Sequence, residues 1–313
     1  MTNSTLEMTH QEWLADRRKG IGGSDVATIL GLNKWKSPYQ LWLEKTDQIT
    51  LDDNAGEAAY WGTALEPLVA NRFSEVTGKK VRRRNQVFEH TDYPFLRANI
   101  DRDIVGEPAV LECKTANQFL AKEWEKDEMP MQYICQVQHY MNVLNREYAY
   151  FAVLIGGQRF IWKRIDRDQD LINAITERLV EFWEENVLKG IPPEIDGSDA
   201  TSAFIRNQYA EPGENEIELP KRIDDLTQLK AEYKQDMKDI DEKCKQIDNQ
   251  IILLLKDKNA SVGYSPSFVY TYKPNIQRRF QQKILSEKYP EVASDPDLYK
   301  EIKTKPILRA KEI

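Results

Sequence analysis

Two carboxylates and a lysine lie close together near the end of the first third of the chain. In A-N-I-D-R-D-I-V-G-E-P-A-V-L-E-C-K-T, Asp101 stands eleven positions before Glu112, and Lys114 follows two positions later. Hard oxygen ligands beside a lysine can hold a divalent cation and polarise a water for hydrolysis. The same residue types also decorate solvent-facing strands, so their placement decides between chemistry and surface. Residues 95–100 and 109–114 read as strands, with Gly106 and Pro108 marking the turn between them. Alternation along the second strand sends Glu112 and Lys114 to one face and Leu111 and Cys113 to the other. A hairpin then brings Asp101 beside Glu112.

Three further stretches carry chemistry. The run R-R-K-G-I-G-G-S-D at 17–25 places glycines before a Ser24-Asp25 N-cap that opens a helix over 26–32. Such a turn is either a seat for phosphate, with Arg17, Arg18 and Lys19 as counter-charge, or a plain connection between two helices. It lacks the G-x-x-x-x-G-K-[ST] spacing of a nucleotide-binding P-loop. Glu66, within Y-W-G-T-A-L-E, sits among small and apolar residues of a helix running to Gly78, and is read as aimed at the metal rather than at solvent. Gln136 and Tyr140 fall one turn apart on one face of a helix over 132–144.

The elements that must position these groups form an α/β pattern. Helices over 10–19, from Ser37-Pro38 (Tyr39, Leu41, Trp42 and Leu43 inward, Glu44 and Lys45 beyond them) and over 60–78 precede a basic run, K-K-V-R-R-R at 79–84. Strands then follow, and Y-A-Y-F-A-V-L-I at 148–155 is apolar enough to be buried on both faces. An alternating strand at 159–165 and an amphipathic helix at 168–189 complete a domain over 1–205. A linker over 206–220 leads to an appendage, 221–313. There Leu226, Leu229, Tyr233, Met237, Ile240, Cys244, Ile247, Ile251 and Leu254 recur near heptad spacing. That helix serves a coiled-coil partner or packs along its own domain.

Composition narrows the classes. At 313 residues, with 41% hydrophobic and 30% charged, the chain reads as one large globular domain with an appendage. It has no apolar run of the roughly 18 residues needed to span a membrane and no secretory leader, so a cytoplasmic location is expected. Cys113, Cys135 and Cys244 lack the spacing for disulfides, zinc or an iron–sulfur cluster, and His10, His90 and His139 are scattered. The net charge of −7 makes any nucleic-acid contact a matter of local charge, such as the 79–84 run or the basic excess after Gly263.

Taken together, R-R-K-G-I-G-G-S-D, W-G-T-A-L-E-P at 61–67, A-N-I-D to L-E-C-K at 98–114 and Q-V-Q-H-Y at 136–140 resemble the YqaJ-type viral recombinases, relatives of phage lambda exonuclease in the PD-(D/E)xK superfamily. The resemblance implies a restriction-endonuclease-like core, a mixed central sheet flanked by helices. It also implies a metal-dependent 5′→3′ exonuclease on linear double-stranded DNA, leaving 3′ tails for a single-strand annealing protein of a phage or prophage. By the same resemblance, Asp101, Glu112, Glu66 and the Cys113 backbone carbonyl hold Mg²⁺ or Mn²⁺, two ions per site. Lys114 acts on the attacking water, Gln136 steadies the site, Tyr140 partners it, and Arg18 and Ser24 grip a 5′-phosphate. A trimeric ring on DNA is the expected assembly. The family pattern has Gly where this chain has Arg102, a departure that bears on the local turn and not on the ligands. An endonuclease on the same core, or an end-binding scaffold with a decayed site, are the competing readings.

Overall fold

The computed structural model describes residues 8–49, 56–121, 124, 129–211, 213–278 and 281–298. Two compact units divide at residue 208. In the first, helices α1 (His10–Arg17), α2 (Gly23–Ile29), α3 (Pro38–Lys45) and α4 (Gly56–Thr77) precede strands β1 (Val81–Arg83), β2 (Phe88–Glu89), β3 (Arg97–Ala98), β4 (Arg102–Ile104) and β5 (Ala109–Ala116). Helix α5 (Met131–Leu144) crosses to β6 (Tyr148–Ile155), then come β7 (Arg159–Asp166), α6 (Gln169–Glu181) with a π-helical continuation over Phe182–Leu188, and α7 (Asp199–Gln208).

The main sheet has the order β1-β4-β5-β6-β7. Its β5–β6 pair is parallel, joined through α5, and the remaining pairs are antiparallel. This is a mixed sheet with helices on both faces, the fold class expected. Alternation sorts β5 between two cores. Leu111 and Cys113 pack with Val69, Ala70 and Phe73 of α4, while Val110 joins the larger core with Val137 and Met141 of α5. Glu112 shares the α5 side, which is why a carboxylate there meets Gln136. The β6 run is buried on both faces, as its apolar composition requires.

Several local expectations shift. The stretch before Asp101 is strand only at β3, which pairs with β2 in a separate two-stranded sheet, and Asp101 itself lies in a bend. Helix α2 starts earlier than expected. Its N-cap is Gly22, whose N–H donates to the Asp25 carboxylate at 3.1 Å, so Asp25 closes the cap from inside the first turn. In α3, Glu44 and Lys45 are buried rather than beyond the packed face. Lys45 donates to the carbonyls of Arg17 (2.7 Å) and Gly20 (2.6 Å) and to Asp25 Oδ2 (2.7 Å). Arg102 does not disrupt the turn, because it keeps antiparallel register with Leu111.

The second unit contains helix α8 (Arg222–Asp257), the hairpin β8 (Val262–Tyr264) and β9 (Val269–Thr271), and short helices α9 (Gln282–Lys288) and α10 (Pro290–Ala293). At ~1.5 Å per residue α8 is about 54 Å long. Most of its heptad-spaced apolar side chains are exposed, and Leu255 alone on it is buried, against Gly263. The basic end of the chain falls largely outside the described residues; Pro296–Leu298 forms a 3-10 turn. Among the described residues no helix is long and apolar enough to cross a membrane.

Candidate active site

The β4–β5 ladder stops at the pair Arg102–Leu111, one residue short of Glu112. Beyond that point the Asp101 side chain takes the place of a strand partner, its Oδ2 accepting the Cys113 N–H at 2.7 Å. In extended backbone the N–H and C=O of one residue share an edge, so the Cys113 carbonyl lies on the Asp101 side of β5. Glu112 is 2% exposed. Its Oε1 receives Lys114 Nζ at 2.5 Å and Gln136 Nε2 at 2.8 Å, and Gln136 Nε2 also donates to Tyr140 Oη at 2.9 Å. Glu112 Oε2 is buried and makes no hydrogen bond.

The electrostatics follow from this crowding. Burial first, then the adjacent Glu112, push the Asp101 carboxyl up to about 8, against the pull of Lys114 and the Cys113 N–H. Burial opposes the Lys114 ammonium, but Glu112 and Asp101 outweigh it and hold Lys114 above its ordinary range. Tyr140 is likewise raised, by burial and then by the two carboxylates. Two close carboxylates, one lysine and an unsatisfied buried oxygen leave room for more positive charge. The donor set of Asp101, Glu112 and the Cys113 carbonyl therefore fits a hard divalent cation. Among the described residues no group of three His, Cys, Asp or Glu side chains stands ready for a metal.

Glu66 is paired with Arg102. Its Oε1 is held at 2.5 Å by Arg102 Nη1, which also donates to the Asp101 carbonyl at 2.6 Å. The α4 carboxylate is thus near the site, close enough to raise Asp101 further, yet turned toward Arg102. The expectation that Glu66 completes a carboxylate shell is corrected to that extent.

A cavity of about 230 Å³ joins Asp101, Glu112, Lys114, Gln136 and Tyr140 to the glycine-rich turn. The turn is pinned there by close approach. Ile21 N–H donates to the Phe95 carbonyl at 2.7 Å and Arg97 N–H to the Ile21 carbonyl at 2.9 Å. A Cβ on Gly20 would sit 2.3 Å from Phe95 O, and one on Gly23 would sit 2.3 Å from the Tyr140 ring. Ser24 borders the cavity as expected, but Arg18 does not. Arg18 caps α1 and turns away to Asp47 (2.7 Å), while Arg17, in the last turn of α1, borders the cavity and donates to Ser24 Oγ at 3.3 Å. Tyr140 is 4% exposed and its hydroxyl accepts from Gln136.

Two polar residues on the Asp101 side of the cavity escaped the sequence reading. Arg97 and Asn99 line the cavity, and Arg97 is held by Asp16 through its carbonyl (2.7 Å) and carboxylate (3.0 Å). Lys45 ties the glycine turn to α3, and Arg102 holds Glu66. The alternation of Arg97, Asn99 and Asp101 was a usable signal for the first two.

The first unit is thus a mixed sheet flanked by helices, with Asp101, Glu112 and Lys114 gathered where the β4–β5 ladder ends. Residues 12–147 match the YqaJ-like viral recombinase domain. The uncharacterized protein YqaJ of Bacillus subtilis (strain 168) is 45% identical over 289 residues, covering 91% of this chain and 90% of that protein. This chain belongs to the YqaJ-like viral recombinase family. A shorter likeness, 44% over 54 residues, links 17% of the chain to 15% of protein D345L of African swine fever virus (strain Badajoz 1971 Vero-adapted). Among solved structures, the alkaline exonuclease LHK-Exo from Laribacter hongkongensis is similar at a TM-score of 0.48 and 22% identity, over 63% of this chain and 97% of that one.

Proposed function

We propose that the chain is a metal-dependent deoxyribonuclease that degrades linear double-stranded DNA from its 5′ ends, leaving 3′ single strands for an annealing protein. The observation that carries this reading is the convergence of Asp101, Glu112, Lys114 and Gln136 on one cavity, with Glu112 Oε2 unpartnered. Mg²⁺ or Mn²⁺, held by Asp101, Glu112 and the Cys113 carbonyl, would supply Lewis-acid neutralisation of the phosphate and an acidified water. The chain's own groups do the rest. Lys114 sets a fixed positive charge where negative charge develops on the phosphate oxygens. Gln136 fixes the orientation of Glu112 and is itself fixed by Tyr140. Arg17, hydrogen-bonded to Ser24 on the cavity wall, would pair with a terminal 5′-phosphate, the task first assigned to Arg18.

End-labelled linear duplex with Mg²⁺, with and without a 5′-phosphate, tests the reading against closed circular duplex. Release of 5′ nucleotides from linear DNA only is expected, abolished in Lys114→Ala and Glu112→Gln. Cutting of the circle would favour an endonuclease instead, and undiminished digestion by both variants would dismiss the site. A ring of three copies around the duplex accompanies this reading, and light scattering at micromolar concentration checks it.

A further inference from the structure

The turn after α2 offers an indole to solvent beside the catalytic cavity. Trp35 is 89% exposed. A single exposed aromatic is ordinary, but this one is held in place and borders a recess. Asn33 Oδ1 accepts the N–H of Trp35 at 2.8 Å and of Lys36 at 3.3 Å, and Asn33 Nδ2 donates to Thr28 Oγ1 at 2.9 Å. Lys36 is in turn anchored on Glu44 at 2.6 Å. The recess, about 400 Å³, is lined by Asn33, Lys34, Trp35 and Tyr133. Ser24, Lys114 and Gln136 line it too and also line the catalytic cavity, so the two spaces adjoin.

An aromatic face, an exposed ammonium and an amide around one recess are complementary to a nucleotide: a base to stack, a phosphate to pair and polar base edges to bond. Tyr133 is already packed against Trp124 and Phe151, which leaves Trp35 as the face available for stacking. The geometry points to a nucleotide subsite in which Trp35 stacks on the base adjoining the phosphate cleaved at Asp101 and Glu112, with Lys34 on the neighbouring phosphate. This rests on the nuclease reading and extends it to how the strand end is held. A base lying on the indole is out of its own duplex, so the subsite favours ends that fray.

The test uses the full chain and a 5′-phosphorylated duplex carrying 2-aminopurine at the first or second position of the 5′ strand. Fluorescence and anisotropy are read in EDTA, and cleavage of the same duplex in Mg²⁺. Binding is expected to quench the probe at one of these positions in the wild type and in Trp35→Phe. Trp35→Ala should lose the quenching and bind about 5- to 100-fold more weakly, with KM rising accordingly. If the wild type cleaves while Trp35→Ala matches it in quenching, affinity and KM, the subsite is refuted and the nuclease reading stands. If the wild type neither binds nor cleaves the duplex, both fall.

Discussion

Gly23→Ala is the sharpest test of how the site is held together. An added Cβ would lie 2.3 Å from Tyr140 Cε1, 2.6 Å from Cζ and 2.7 Å from Oη. Carbon atoms rest at about 3.5–4.0 Å, so the ring must retreat by about 1 Å. The ring is buried, and overpacking of that size costs about 1–3 kcal/mol. Tyr140 holds Gln136, which holds Glu112, through bonds of 2.9 and 2.8 Å. A shift of about 1 Å passed along this chain is expected to lower kcat by about 100-fold, with a smaller effect on DNA affinity. Thermal unfolding and single-turnover cleavage read the two effects. A double-mutant cycle with Tyr140→Ala isolates the cause, since without the ring Gly23→Ala should be near neutral, a coupling of about 1–3 kcal/mol. An equal penalty in both backgrounds, or full activity in the single variant, would refute the reasoning.

Burial, against its bond to the Arg97 carbonyl, lowers His139 to about 4 from an ordinary 6.5. The unfolded chain therefore binds the extra proton between those values, so this contribution is complete above pH 6.5 and is lost as pH falls toward 4, about 3 kcal/mol in all. His139→Gln should flatten the difference across that window in urea unfolding; an unchanged slope would show that His139 does not titrate as argued. Lys45→Met strands the buried Asp25 carboxylate and is expected to cost about 3–5 kcal/mol, with Lys45→Met/Asp25→Leu recovering most of it in the same assay. Arg102→Ala releases Glu66 toward the site, so Mn²⁺ affinity by calorimetry should rise several-fold while stability drops by about 1–3 kcal/mol. Unchanged affinity would place Glu66 outside the ion's reach.

The second strand of the candidate site and its helix were legible because their signals are local. Period-two alternation sends Glu112 and Lys114 one way, Gly106 and Pro108 mark the turn, and a four-residue step puts Gln136 and Tyr140 on one helical face. What was not legible depends on contacts between distant segments. Whether Arg17 or Arg18 faces the cavity turns on where α1 ends, and a one-residue change there rotates the side chain by about 100°. Lys45 reads as surface until Gly20 and Asp25, twenty or more positions away, are found around its ammonium. The glycines at 20 and 23 signal freedom of the backbone, yet both are demanded by neighbours, Phe95 and Tyr140, that no local pattern names. Arg102 is the converse case: a departure from the family pattern whose purpose appears only when Glu66 arrives from α4.

The early end of the β4–β5 ladder has a consequence for how such a centre is kept accessible. Where the two strands part, one edge of β5 is left to a single aspartate instead of a neighbouring chain. Were β4 to continue its pairing for two more residues toward its N-terminus, main-chain bonds would occupy the Cys113 N–H and carbonyl, on which the proposed metal site draws. The length of that hairpin is therefore under a ceiling: added pairing would strengthen the sheet and shut the reaction out.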